Sequence, residues 1–422
     1  MKTYLSILLL VFSLTCCNKG EIIGIQFDDN GVIISLPYQW KKSLHSSNTY
    51  HSNGYIKFPI IYNENIIIPT TGKDGTQYLS MVNSNTGKIE WQWNDIFTES
   101  SGGDMELYSL FKNNNLLTWQ VGGRSYCINL DNGTTQWKFL RNNTFNSNLS
   151  GIDNTYFTRG NTDHFPGYYI DIGFKGNLLI GEIEEFLIPN FSFNHSIAGR
   201  CCDVTEMVPY TINSVQHLVV VYQELTSSEI WNFQSFLGLF NLETNEWVYD
   251  HKIMNEPNLN GVSLASPVIY DNKFYANIGH ELVCHNITTG EQIWSKQFTQ
   301  DFMFSGFIIE EGKIIANNEN LTLYCLDPET GNEIWTGEGA GTSSRMSYLN
   351  GIVYFVGGSD GKFHAVDIST GKTVWRLNAE IIEDYDGLFR PYAVYVFSGE
   401  NGNKGKIIAL TDMYAYCFEA YR

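Results

Sequence analysis

The chain holds 422 residues, with 45 acidic against 26 basic side chains and a formal net charge of −19. That balance argues against nucleic acid and anionic membrane surfaces as electrostatic partners, because the counterion term would repel them. Aromatic content is 14%, with 25 Tyr and 26 Phe, which calls for broad packing between sheets and leaves a few rim aromatics for carbohydrate or peptide contact.

At the start, Lys2 precedes the apolar run Leu5–Leu14, too short to span a bilayer comfortably, and Thr15-Cys16-Cys17-Asn18 follows. This reads as a secretory signal peptide over residues 1–16 that ends at a cysteine. The Leu-x-small-Cys pattern resembles a bacterial lipoprotein box. Leu14 stands at the preferred third position before Cys17, so Cys17 is the expected lipidation site, with Cys16 as the alternative. Acyl chains contribute about 0.8 kcal/mol per buried CH₂, so several of them would tether the protein for good. Residues 17–36 are expected to be a tether and residues 37–422 one folded domain, outside the cytoplasm.

From Tyr38 onward the chain repeats one pattern, an Asx, then Thr-Gly or a variant, then a Trp. Gly87, Gly133, Gly290, Gly331 and Gly371 each have an Asn or Asp four residues before and a Trp four residues after, at Trp91, Trp137, Trp294, Trp335 and Trp375. An Asx side chain accepts a backbone N–H two residues on, and glycine takes the left-handed conformation, so each copy closes a tight hairpin. A sixth copy, Asn241 to Trp247, has Asn245 in place of glycine and its Trp two residues closer. Alternating apolar stretches before each turn, such as Gly351–Val356, predict further strands of the same unit.

A period of 40 to 46 residues built of short strands predicts an array in which no unit buries its own apolar face. The gap of 112 residues between Gly133 and Asn245 fits two units, one of which, over Thr155 to Gly181, reads as having lost its signature turn. The stretch Met413–Glu419 carries Cys417 and has no Trp strand after it; Tyr38–Lys42, with Trp40, is expected to complete it. The fold class is therefore all-β: an eight-bladed β-propeller, with seven blades as the alternative, its last blade closed by an N-terminal strand so that no sheet edge is left at the seam.

The Asp-x-x-Thr-Gly-x-x-x-Trp spacing resembles the repeat of the quinoprotein dehydrogenase-like propellers and covers most of the chain from about residue 38. That family contains pyrroloquinoline quinone enzymes and also non-enzymatic propellers, among them the lipoprotein subunit of the bacterial outer-membrane barrel-assembly machinery. The repeat specifies a fold, not a chemistry.

Cys127, Cys284 and Cys325 stand six residues before a turn glycine, and Cys417 matches that position, so these four read as separate buried hydrophobes. Cys201 and Cys202 are adjacent and outside the register. Enzymes of the resembled family carry a disulfide between neighbouring cysteines beside the cofactor, which makes this pair the one enzyme-like candidate; two unlinked thiols are the alternative. The enzyme reading would also need pyrroloquinoline quinone, a calcium ion held by oxygen ligands and an Asp base. Asp153, Asn161 and Asp163 are present without a telling spacing, and no catalytic residue is assigned. The densest metal-like cluster, His280 to His285, splits between two faces of a strand and gives no zinc site.

The expected function is a non-catalytic, lipid-anchored scaffold of the bacterial cell envelope, at the outer membrane on either its periplasmic or its surface side, that binds a protein partner or extended ligand as a monomeric propeller. Two alternatives are a pyrroloquinoline quinone-dependent alcohol or sugar dehydrogenase with calcium, and a carbohydrate-binding or sensing propeller.

Overall fold

A computed structural model describes residues 24–45, 56, 58–97, 107, 109–145, 149–161, 168–191, 199–227, 232–256, 267–302, 306–381, 387–400 and 402–422. The signal peptide, Cys16, Cys17 and Asp163 lie outside the described residues. Every regular element is a strand, and no described helix is long and apolar enough to cross a membrane.

Short antiparallel sheets follow one another along the chain. The first contains β4 (Ile61–Tyr62), β5 (Asn65–Thr71), β6 (Gln77–Asn83) and β7 (Ile89–Trp93). Next come β8 (Leu110–Asn113), β9 (Leu116–Asn129) and β10 (Thr134–Phe145), then β11 (Ser150–Ile152), β12 (Thr155–Asn161), β13 (Tyr168–Asn177) and β14 (Ile183–Leu187). After these run β15 (Gly199–Ile212), β16 (Val215–Ser227), β17 (Asn232–Asn241) and β18 (Glu246–Ile253). These last three groups join into one 11-stranded sheet through Phe145 beside Gly160 and a parallel contact of Tyr168–Asp171 with Gly199–Asp203. Two regular four-stranded sheets succeed them: β19 (Val268–Tyr270) to β22 (Gln292–Gln297), and β23 (Phe307–Glu310) to β26 (Glu333–Glu338). Within them lie β20 (Lys273–Ile278), β21 (Glu281–Asn286), β24 (Lys313–Asn318) and β25 (Thr322–Leu326).

The chain ends meet. β27 (Ser347–Leu349), β28 (Ile352–Val356), β29 (Phe363–Asp367) and β30 (Thr373–Leu377) form a sheet extended by β2 (Ile33–Ser35) and β1 (Gln26–Phe27), with Ile33 beside Trp375 in parallel. β31 (Tyr395–Phe397), β32 (Lys406–Leu410) and β33 (Tyr414–Glu419) are completed by β3 (Tyr38–Ser43), which places Trp40 opposite Cys417 as expected. The stretch expected to be a tether is thus in part built into the fold, since β1 and β2 cover the outer edge of β30.

Apolar side chains fill the space between successive sheets. Trp93, Leu117, Ile66 and Ile408 share one core that spans β31–β33, β4–β7 and β8–β10, while Tyr354, Trp375, Ile407 and Phe418 join β27–β30 to β31–β33. Further clusters link each intervening pair, so the last sheet is packed on the first through the same chemistry as any other two.

Seven turns share one construction. The Asx carbonyl accepts the N–H of the residue four on, at 2.8 Å for Gly87, Gly133, Gly181, Gly290, Gly331 and Gly371 and at 3.0 Å for Asn245. The Asx side chain accepts from the residue two on, as Asp327 Oδ1 does from Glu329 at 2.8 Å. Asn177 to Gly181 is one of the seven, with Leu179 donating to Asn177 Oδ1 at 2.9 Å and Gly181 at φ +75°. The unit expected to have lost its turn has kept it. What it lost is the Trp, since Glu185 stands four residues after Gly181.

In six of the units an aromatic on the last strand reaches across to the turn of the next sheet. Trp40 Nε1 donates to Ser84 O at 2.9 Å, Trp91 to Leu130 O at 3.0 Å, and Trp137 to Leu178 O at 2.7 Å. Trp294 bonds Pro328 O at 2.9 Å and Trp335 bonds Ile368 O at 3.0 Å. Each acceptor is the carbonyl three residues before the turn glycine, and each indole lies on that glycine: a Cβ on Gly371 would meet Trp335 at 2.6 Å. In the sixth copy this part is taken by Tyr249, four residues after Asn245, whose hydroxyl donates to Ile287 O at 2.6 Å. Trp247 packs instead inside its own sheet, edge-on to Phe240.

Gly371→Ala should cost about 2–4 kcal/mol, the left-handed penalty plus overpacking against Trp335. Gly31→Ala, at φ +78° with nothing within 4 Å, should cost about 1–2 kcal/mol. Denaturant midpoints of the two variants check this, and equal costs would remove the indole from the account.

Candidate functional site

The four register cysteines behave as the spacing implies. Cys127 lies opposite Trp137, Cys284 opposite Trp294, Cys325 opposite Trp335 and Cys417 opposite Trp40, all fully buried and in different sheets. Burial pushes the thiols of Cys127, Cys284 and Cys417 up to about 12 and that of Cys325 to about 11, so none is a thiolate at neutral pH.

Cys201 and Cys202 lie in β15, where Cys202 stands in register with Ile170 on one side and Glu224 on the other. The Cys202 side chain is 2% exposed and packs among Val204, Met207 and Tyr222. The Cys201 side chain lies outside the described residues. Asp153 occupies the left-handed turn between β11 and β12, at φ 51°, and Asn161 ends β12 opposite Asp171. Asp171 in turn stands opposite Asp203, so Asn161 lies near the register row of Cys202, while Asp153 sits at the other end of β12. In the His280 to His285 stretch, His280 is exposed while His285 is buried with Nδ1 at 3.1 Å from Gly290 O, and burial lowers its pKa. Among the described residues no three His, Cys, Asp or Glu side chains are grouped to hold a metal ion. The donor set that a quinone with calcium would need is not brought together among them, and no chemical step is derived through that group.

Two surfaces stand out. One is the end of the ring where the second strand of each unit finishes, carrying buried Thr70, Gln120, Thr158, Asn277, Asn317 and Asp412. Asn317 Nδ2 donates to Gly341 O at 2.7 Å and to Ser343 Oγ at 2.9 Å, and Arg390 Nε donates to Asp412 at 2.5 Å, so Asn317 and Asp412 brace loops, whereas Asn277 Nδ2 and Oδ1 are buried without a hydrogen-bond partner among the described residues.

The other surface is a groove of about 510 Å³ on the outer rim between β10 and β14, lined by Phe139, Arg141, Lys175, Gly181, Glu182 and Glu184 among others. Arg141 Nη2 donates to Gly181 O, and its guanidinium lies 4.9 Å from the Phe139 ring centroid. Leu179 and Ile180 in the adjoining turn are 46% and 52% exposed. Sequence reading passed over this patch, although the signal was present: in the turn after Asn177, Leu179-Ile180 stand where other copies hold Asp131-Asn132, Glu329-Thr330 or Ser369-Thr370.

The repeat, the sheet order and the aromatic-on-glycine contacts define a β-propeller of the PQQ-like repeat type. A family described as outer membrane protein assembly factor BamB matches residues 216–383. The chain is 23% identical over 156 residues to outer membrane protein assembly factor BamB of Kangiella koreensis, covering 34% of this chain and 38% of that protein. It is 21% identical over 299 residues to the Shewanella oneidensis protein of the same name, covering 69% of this chain and 68% of that one. Among solved structures, BamB from Moraxella catarrhalis superposes with a TM-score of 0.53 at 12% identity, over 88% of this chain and 99% of that chain. Quinohemoprotein alcohol dehydrogenase from Comamonas testosteroni does so with a TM-score of 0.56 at 8% identity, over 90% and 76%. Likeness at these identities establishes the fold; it does not choose between scaffold and enzyme.

Iodoacetamide at pH 8 should leave Cys127, Cys284, Cys325 and Cys417 unmodified in the native protein and label them after denaturation. Native labelling of any of them, read by mass spectrometry, would show that its strand is not where the register puts it.

Proposed function

We propose that the chain is a non-catalytic scaffold of the bacterial cell envelope: an eight-bladed ring, tethered through lipid on Cys17 to the outer membrane, that holds a protein partner. The count of eight follows from reading the 11-stranded sheet as three blades, β8–β10, β11–β14 and β15–β18, each with its own hairpin turn between its last two strands. β3 supplies the last strand of the eighth blade, which seals the ring without an open seam.

The observation that carries the reading is the similarity, across 69% of the chain, to a protein named for outer membrane protein assembly. The physical properties agree with a holding role. A ring braced at six of its blade junctions by an aromatic hydrogen bond is stiff, and a stiff ring presents rim residues to a partner without an ordering cost. A carbohydrate reading draws less support: among the described residues the large exposed aromatics are Phe27, Tyr38, Phe139 and Tyr270, on four separate strands or their edges rather than on one platform.

The test is crosslinking of the tethered protein in cells, followed by purification. The account expects a protein of the outer membrane assembly apparatus to copurify. Dye-linked alcohol oxidation on adding pyrroloquinoline quinone and calcium to the purified protein would overturn it. Cys17→Ser should move the protein from the membrane to the soluble fraction of the envelope, and retention on the membrane would shift the anchor to Cys16.

A further inference from the structure

The groove between β10 and β14 has features that the folding of the ring does not require. In six of the seven hairpin turns the second and third residues after the Asx are polar: Asn85-Thr86, Asp131-Asn132, Glu243-Thr244, Thr288-Thr289, Glu329-Thr330 and Ser369-Thr370. In the seventh they are Leu179 and Ile180, about half exposed, and they continue through Gly181 into Phe139 on the neighbouring blade. Leucine and isoleucine on a turn that other copies build from polar residues contribute nothing to the hairpin, and in water they are a cost unless another surface covers them.

Arg141 supplies the second feature. Among the described residues it has no carboxylate within ion-pair distance, whereas Lys138 pairs with Asp95 at 2.6 Å and Lys175 with Glu184 at 2.9 Å. Its Nε is buried without a hydrogen-bond partner, and burial lowers its pKa. Of the other charges on the lining, Lys175 and Glu184 pair with each other and Glu182 makes no ion pair with Arg141 among the described residues, so the guanidinium at the edge of the apolar patch is left to take a carboxylate from a partner. The fold also tolerates an added strand at an outer edge, since β2 lies along β30. Among the described residues β14 pairs with β13 alone, which leaves its other edge open beside the groove.

We propose that this groove docks an extended segment of the protein partner, with aliphatic or aromatic side chains on Phe139, Leu179 and Ile180 and an Asp or Glu on Arg141. The proposal rests on the scaffold reading and names where and by what chemistry the partner is held.

The test places a photo-crosslinking amino acid at Phe139 in the full tethered chain and, as a control, at Thr289 in the turn of a later blade. After illumination in cells, the trapped peptide is sequenced. The expected result is a protein adduct at position 139 and none at 289, with an acidic residue within three positions of an apolar residue at the attachment point. Arg141→Glu should lower the adduct yield at least tenfold, and Arg141→Lys should retain part of it. The double substitution Leu179→Glu, Ile180→Thr rebuilds the turn found at Glu329-Thr330, so it should abolish the adduct with the thermal midpoint unchanged. A partner trapped at 289 or copurifying with no adduct at 139 would overturn the groove and leave the scaffold reading standing. No copurifying partner at all would overturn both, and an adduct at 139 to lipid or to a second copy of this chain would overturn the groove.

Discussion

The ring depends on one contact repeated around its circumference: an aromatic side chain from one blade lying on the turn glycine of the next and donating to the carbonyl three residues before that glycine. The carbonyl belongs to a tight turn and has no partner in the ladder, so the aromatic donor satisfies it, joined at Pro328 O by the Tyr275 hydroxyl at 3.1 Å. The ring covers apolar surface at the same time. Glycine is required there twice over, by its left-handed φ and by the indole above it.

This single contact accounts for the places where the repeat departs from its own pattern. Glu185 replaces the aromatic of the third blade, and the turn it would have covered carries Asn245, a residue with a Cβ, in place of glycine. With no indole overhead, only the left-handed requirement remains, and Asn meets it. The fourth blade restores an aromatic as Tyr249, and the next turn is glycine again, at Gly290. At the seam the third and fourth strands of the last blade come from opposite ends of the chain, so no hairpin turn faces Trp375. Its Nε1 has no hydrogen-bond partner, and the ring packs instead against Tyr354 and Tyr421.

Most of the architecture was legible because the repeat is enforced by local chemistry. The Asx-to-glycine spacing and the pairing of Trp40 with Cys417 both follow from the sequence alone. The third blade was harder to see, because searching for Trp hid a turn that Asn177 and Gly181 preserve in full. Trp247 misled for the complementary reason: residue identity pointed to it, whereas the geometry asks for an aromatic four residues after the left-handed position, which is Tyr249. The short strands β1 and β2 carry no repeat signature and were read as tether. The groove at Arg141 was not legible from pattern at all, since it joins residues from two blades, although Leu179-Ile180 in a polar turn was a visible oddity.

The account turns on coupling between an indole and the glycine beneath it, and a double-mutant cycle on Trp294 and Gly331 in equilibrium unfolding measures that directly. With Trp294 in place, the Cβ of Gly331→Ala would fall 2.7 Å from the indole. In a Trp294→Ala background that clash is gone and only the left-handed cost of about 1–2 kcal/mol remains. The account predicts that the two substitutions together cost at least about 1 kcal/mol less than their sum. Additivity within about 0.5 kcal/mol would contradict it.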